Sequence, residues 1–238
     1  MLNNLNFLPE NSSAIVMGAN GGIGKAILKT IKSKYKFKNV FGLSRKSEIY
    51  INYYSEESIK KAAEYFLSES LNIRLIINCA GYLYDKEFLP EKSIKDIDIN
   101  YMQKSFYMNS IGPALFMKYF FPVLPRDNKF IFANLSAKVG SISDNKLGGW
   151  LSYRSSKAAL NQLVKCMSIE LYRRNKNSIC VAIHPGTVDT NLSKPFNKKG
   201  LNVRTPDVAA NEILSVISSL NTTHNGKFLD YKFKEITF

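Results

Sequence analysis

Six short apolar runs alternate with helix-like segments from one end of this chain to the other. The runs are Ala14-Ile15-Val16-Met17, Val40-Phe41-Gly42-Leu43, Leu75-Ile76-Ile77, Phe130-Ile131-Phe132, Ile179-Cys180-Val181-Ala182-Ile183 and Gly226-Lys227-Phe228-Leu229. Nearly continuous apolar strands of this length belong to a parallel sheet covered on both faces. Between the first two runs, Ile23, Ile27 and Ile31 line one stripe at a spacing of four. Ser55 before Glu56 and Glu57 reads as an N-cap with acids in the first turn; behind it Ile59, Ala62, Ala63 and Phe66 fall at i, i+3, i+4 and i+7. A long apolar helix is expected over about 101–121 and another after Trp150. A last helix opens at Thr205-Pro206-Asp207, with proline at its first position. No repeat, low-complexity segment or linker interrupts the alternation. The prediction is an α/β fold: one domain over 1–238, a doubly wound parallel sheet with helices on both faces.

Composition removes several alternatives. With 238 residues, 45% hydrophobic and 22% charged, the chain can bury a sizeable core and is not disordered. Its start, Met1-Leu2-Asn3-Asn4-Leu5-Asn6, has no basic segment followed by an apolar run. The most apolar window, 111–124, carries Lys118 and two prolines, so no membrane span is expected. Three cysteines and two histidines without ligand spacing predict neither a metal site nor a disulfide framework, which fits a cytoplasmic protein. The net charge of +14 is spread over scattered lysines. That distribution predicts a solvated surface that attracts a phosphorylated cofactor, and no nucleic-acid or membrane partner.

Two local patterns carry chemistry. The first apolar run leads straight into Gly18-Ala19-Asn20-Gly21-Gly22-Ile23-Gly24, and a helix starts there. Residues without a Cβ let the backbone turn tightly against a pyrophosphate, and the helix N-terminus presents free amides to it, as in a Rossmann-type fold. About 130 residues later, Tyr153 and Lys157 stand four apart, on one face of the expected helix. A phenol with a pKa near 10 is a poor proton donor or acceptor at neutral pH. A neighbouring ammonium is expected to lower it toward the working range.

With these residues in view, the chain resembles the short-chain dehydrogenase/reductase family over nearly its whole length. The glycine turn is joined, in order, by Asn78-Cys79-Ala80-Gly81, Asn109, Tyr153-Arg154-Ser155-Ser156-Lys157 and Pro185-Gly186-Thr187-Val188-Asp189-Thr190. Within the family, Leu135-Ser136-Ala137-Lys138-Val139-Gly140-Ser141 and Gly148-Gly149-Trp150 are similar to the subgroup of bacterial C-factor-type proteins and the insect carbonyl reductase sniffer. The resemblance implies that Tyr153 exchanges a proton with the substrate oxygen. It implies that Lys157 holds the nicotinamide ribose and that Asn109 supports a water-linked proton path to that lysine. It places a substrate-orienting serine three residues before Gly140, where this chain has Ala137. Ser136, one place earlier, is taken for that role, with Ser141 as the alternative. Cofactor contacts are expected from Gly18, Asn20, Gly22, Ile23, Gly24, Arg45, Asn78, Ala80, Gly81, Lys157, Pro185, Gly186, Val188 and Thr190. A homodimer or homotetramer is implied, with Phe116, Phe120 and Phe121 suited to burial at its interface.

The second strand ends in Gly42-Leu43-Ser44-Arg45-Lys46, with no acid to accept from a ribose 2′-hydroxyl and two cations to meet a 2′-phosphate. NADP is therefore expected over NAD. Residues 191–200, rich in lysine, correspond to the family's substrate lid. The expected function is NADP-dependent reduction of a small carbonyl compound, or oxidation of the matching alcohol. The alternative is a cofactor-binding signalling or regulatory protein with little turnover.

Overall fold

The computed structural model describes residues 8, 11–196, 200 and 202–238. In chain order the elements are β1 (Ser13–Met17), α1 (Gly22–Lys34), β2 (Asn39–Leu43), α2 (Glu56–Ser68), β3 (Ile73–Asn78), α3 (Ile99–Phe106), α4 (Gly112–Phe120), β4 (Phe130–Leu135), α5 (Leu151–Arg174), β5 (Ser178–His184), β6 (Thr187–Val188), β7 (Val203–Arg204), α6 (Pro206–Ser219) and β8 (Phe228–Asp230). Ser55 caps α2 by accepting from the Ser58 amide, and Thr205 caps α6 by accepting from the Val208 amide, as their sequence signals indicated.

Six strands form one sheet in the order β2-β1-β3-β4-β5-β8, every neighbouring pair parallel. Beyond β2, Ser44 and Tyr50 form an isolated parallel bridge. Side chains alternate between the two faces of each strand. From β1, Ile15 and Met17 enter the layer of α2, α4 and α5, while Ala14 and Val16 enter the layer of α1 and α6. That two-sided burial is why the strands read as continuous apolar runs. The order reverses at β1, with β2 on one side and β3 on the other. In doubly wound sheets such a reversal point, at the C-terminal ends of the strands, is where ligands bind.

The helix expected over 101–121 is divided. A π-helical turn at Tyr107–Ile111 separates α3 from α4. Pro113 has no N–H to return to the Asn109 carbonyl four residues earlier, and the ladder there gives way to a longer step, the Gly112 amide donating to the Tyr107 carbonyl. Phe116 and Phe120 are fully buried within the protomer against Phe132 and Phe66, so neither is available to an interface between subunits. Phe121 is half-buried beneath the Arg174 guanidinium, 4.9 Å from its ring centroid. The exposed apolar residues of this region are instead Ile111, Ile169 and Tyr172.

Candidate active site

Three loops leave the C-terminal edge of the sheet and close on one another. After β1, Gly18 takes a left-handed φ of 79°, and a Cβ there would lie 2.8 Å from the Ala80 amide nitrogen. A Cβ on Gly22 would lie 2.5 Å from Thr190 Cγ2, so the glycine turn also abuts the loop after β5. Gly21 caps α1 with no side-chain hydrogen bond, and the first turn carries no acid. The amides of Gly22, Ile23 and Gly24 stand in the first turn, with no helical carbonyl behind them. This open end, with its partial positive charge, suits a phosphate group. Asn20 donates through its amide to Ser44 Oγ at 2.8 Å, and the Lys46 amide donates to the same oxygen at 3.0 Å. The turns after β1 and β2 are thereby tied together. Arg45 and Lys46 stand exposed beside them, and neither forms an ion pair with a described carboxylate.

Buried Asn78 shapes the loop after β3. Its Oδ1 accepts from the Tyr53 hydroxyl at 2.9 Å and the Ala80 amide at 3.2 Å, and its Nδ2 donates to Asn134 Oδ1 at 3.2 Å. Beyond β5, Pro185 leads to Gly186 at a left-handed φ of 76°. Val188 in β6 then pairs with Arg204 in β7 before the chain reaches Thr190.

Tyr153 and Lys157 lie one turn apart on α5, 7% and 3% exposed. Lys157 Nζ is 6.0 Å from the Tyr153 ring centroid and donates to the Leu135 carbonyl at 3.1 Å. A Cβ on Gly81 would lie 3.4 Å from Asn109 Oδ1 and 3.5 Å from Lys157 Nζ, so both groups border the same point beside the β3 loop. The Asn109 side chain is occupied: Oδ1 accepts from the Tyr82 amide at 2.8 Å, while Nδ2 donates to the Tyr82 carbonyl and to Ser156 Oγ. Its backbone carbonyl loses its usual α-helical donor, because the residue four places on is Pro113.

The acidity of the pair departs from expectation. Burial pushes the Tyr153 phenol up, and the nearby Tyr101 adds to the rise, where a lowering by Lys157 was expected. Lys157 is itself pulled down to about 8 by burial, so its cation is weakly held and does not offset the desolvation of the phenolate. Tyr153 therefore keeps its proton at neutral pH.

Both candidate serine hydroxyls donate to partners within the protein. Ser136 Oγ donates to Asn161 Oδ1 at 2.7 Å. Asn161 lies eight residues beyond Tyr153 on α5, roughly 12 Å along the axis. Ser141 Oγ donates to the Thr237 carbonyl at 2.5 Å, anchoring the C-terminal segment. Ala137, which has no hydroxyl, occupies the intervening loop.

Glu91, which sequence reasoning passed over, organises the start of α5 together with Trp150. Glu91, 3% exposed and without an ion pair to a described cation, accepts from the Ser152 amide at 3.2 Å and from the Ser152 hydroxyl. Its carbonyl accepts from the Trp150 amide at 2.6 Å. Trp150 holds a left-handed φ of 51° and provides no side-chain cap, so a carboxylate from a distant loop caps the helix. The signal was faint: one glutamate in a loop, separated by 61 residues from its partner. Trp150 meets Tyr153 at 6.1 Å between ring centroids and Phe196 at 4.9 Å. Phe196 in turn meets Tyr84 edge-on at 5.6 Å. The Tyr84 hydroxyl donates to the Asn191 carbonyl, so the described part of the expected lid, 191–196, is docked over the aromatic wall. Asn197, Lys198 and Lys199 lie outside the described residues.

The family profile described as short chain dehydrogenase matches residues 48–201, a span that contains Asn78, Asn109, Tyr153, Lys157 and Thr190. The chain belongs to that family. It is 33% identical to the C-signal of Myxococcus xanthus over 144 residues, 60% of this chain and 82% of that one. The NADPH-bound carbonyl reductase from chicken fatty liver superposes with a TM-score of 0.82 at 26% identity, covering 95% of this chain and 94% of that one. Carbonyl reductase Sniffer of D. melanogaster shares the fold, with a TM-score of 0.81 at 22% identity over 96% and 99% of the two chains. The protein is thus a short-chain dehydrogenase/reductase-type oxidoreductase built on a parallel α/β sheet. No helix among the described residues is long and apolar enough to cross a membrane.

Proposed function

We propose that this protein is an NADP-dependent carbonyl reductase, acting on a small-molecule carbonyl or the matching alcohol, with Tyr153 as general acid and base. The observation that carries the reading is the convergence of a buried Tyr153–Lys157 pair, Asn109 and Gly81 beside an uncapped helix N-terminus. Bound cofactor supplies the hydride. The amides of Gly22, Ile23 and Gly24 hold its pyrophosphate, with Gly18 and Asn20 shaping the turn. Arg45 takes the 2′-phosphate, which nothing acidic in the Ser44–Ser47 turn competes for. Asn78, Ala80 and Gly81 line the middle of the dinucleotide path; Pro185, Gly186, Val188 and Thr190 close its nicotinamide end.

In reduction, Tyr153 donates its proton to the carbonyl oxygen as hydride reaches the carbon. The burial that raises its pKa keeps that proton in place until the oxygen develops charge. Lys157 holds the ribose and returns a proton to Tyr153, fed through water at the Asn109 carbonyl. Ser136 is assigned to Asn161 and the seating of α5, not to the substrate. A homo-oligomer and a cytoplasmic setting complete the reading. The NADPH-bound state of the chicken carbonyl reductase supports the cofactor assignment.

NADPH oxidation followed against a carbonyl panel tests the function. Replacing Arg45 with alanine is expected to lower the preference for NADPH over NADH about tenfold; equal kcat/KM for the two in the wild type defeats the phosphate clamp. The second reading, a cofactor-binding regulator with little turnover, draws on the likeness to a protein named C-signal and on Ala137 standing where the family pattern has a serine. Tight NADPH binding with no turnover on any carbonyl favours it.

A further inference from the structure

Strand β2 lies at the edge of the sheet, and beyond it the described residues add only the bridge between Ser44 and Tyr50. Asn39, Val40, Phe41 and Gly42 are accordingly half-buried, whereas the neighbouring β1 is buried throughout. Between this edge, residues 48–50 and helix α2 lies a cavity of about 580 Å³, within the range of small-molecule sites. Phe41, Tyr50 and Tyr65 line it with aromatic side chains. Two of these rings are held from behind by Phe66, which is 1% exposed. It meets Phe41 edge-on at 5.1 Å between ring centroids and Tyr65 edge-on at 5.4 Å. The lining also carries charge, from Glu48, Glu57 and Lys61. Glu57 and Lys61 pair at 3.6 Å. Glu48 forms no ion pair with a described cation, although lysine and arginine outnumber aspartate and glutamate 33 to 19 in the chain. One negative charge therefore stands uncompensated beside three aromatic side chains.

We propose that this cavity binds a small organic cation, a primary ammonium carried on a short apolar or aromatic body. The ammonium donates to the Glu48 carboxylate, and the body packs against Phe41, Tyr50 and Tyr65. A cation over a tyrosine face gains further from the ring's negative centre. An anionic ligand is opposed by Glu48 and Glu57, and a neutral one gains only the ring contacts. The site is separate from the one assigned to the dinucleotide: Glu48 and Tyr50 follow the Arg45-Lys46 turn, and no residue lining the cavity is among those assigned to cofactor or proton transfer. The inference goes beyond the oxidoreductase reading and requires no turnover.

Three compounds that share one ring and differ in charge test the site: 2-phenylethylammonium, 2-phenylethanol and phenylacetate. Each is titrated into the full chain, with and without saturating NADPH, and followed by the backbone amide NMR spectrum. The ammonium should shift the amides of residues 48–50 and 57–65 saturably, with a dissociation constant of about 1 mM or tighter in both conditions. The alcohol should bind about tenfold more weakly, and phenylacetate should show no saturation. In E48Q the ammonium should lose about fivefold in affinity while the alcohol stays within about twofold. Glu48 is exposed, and an otherwise unchanged spectrum shows that the variant is folded. Equal affinity for the three compounds, no saturable shift with the ammonium, or an unchanged affinity in E48Q overturns the proposal. Shifts confined to the glycine turn, or binding abolished by NADPH, puts the probe in the cofactor's place and overturns it equally. None of these results bears on the carbonyl reductase reading, which NADPH consumption decides.

Discussion

The N-termini of α1 and α5 face the same edge of the sheet and are finished in opposite ways. Helix α1 starts on glycines, with no side-chain cap and no acid in its first turn. Helix α5 starts on a left-handed tryptophan and is closed by the carboxylate of Glu91, buried against Ser152. A helix N-terminus carries about half a positive charge, and an anion there stabilises it. The protein fills that place at α5 with its own carboxylate and leaves it open at α1. An open end suits a phosphate; a filled one fixes the helix that carries Tyr153 and Lys157.

Converting the open end into a filled one gives the largest expected effect. In G21D the new Cβ meets the Gly18 carbonyl at 3.3 Å, within reach of a small local shift, and the carboxylate caps α1 while occupying the phosphate position. NADPH affinity measured by calorimetry should fall about 100-fold, whereas the helix gains a few tenths of a kcal/mol and the melting temperature rises by about 1 °C. Unchanged affinity would remove the phosphate from α1.

Emptying the filled end comes next. E91A leaves the buried Ser152 donors without their acceptor and should cost about 2–3 kcal/mol in urea unfolding. Because Tyr153 follows Ser152 directly, kcat should drop about tenfold with the NADPH dissociation constant within about threefold of wild type. A loss of cofactor affinity as large as the loss of kcat would deny that the two ends have separate duties.

The smallest effect is read from pH. Lys157 titrates at about 8 in the folded protein against an ordinary 10.5. Above pH 8 the folded chain has released this proton while the unfolded chain still binds it, so stability from this group rises with pH up to about 10.5. Proton return to Tyr153 weakens over the same range, and the reduction rate should decline above pH 8. In K157M the rise in stability should vanish, seen as a wild-type melting temperature that rises relative to that of K157M between pH 7 and pH 9.5. A rate that increases through pH 8 would contradict the assignment.

What could be read from the chain follows from how local each signal is. The six strands, the Ser55 and Thr205 caps and the glycine turn each depend on neighbours within a few residues, and all are present. Tyr153 and Lys157 were legible because helical spacing puts them on one face. The π-turn was legible in principle, since Pro113 stands four residues after Asn109, but helical periodicity alone hides it. Glu91 was not legible, because its partner is 61 residues away and a loop glutamate has no pattern. The acidity of the pair was misjudged for a related reason: spacing shows that a cation is near, whereas burial, which dominates here, belongs to the whole fold. The interface assigned to Phe116 and Phe120 failed because an apolar stripe does not say whether its cover is another helix of the same chain.

The direct test of the central claim is a side-by-side measurement of wild type and Y153F, with the NADPH dissociation constant and single-turnover reduction rate taken on the same samples. The variant should bind NADPH within about threefold of wild type and reduce its carbonyl substrate at least about 100-fold more slowly, because the positioned proton is gone while the cradle remains. A variant that binds equally well and turns over at the wild-type rate would contradict the claim that Tyr153 is the acid of this site.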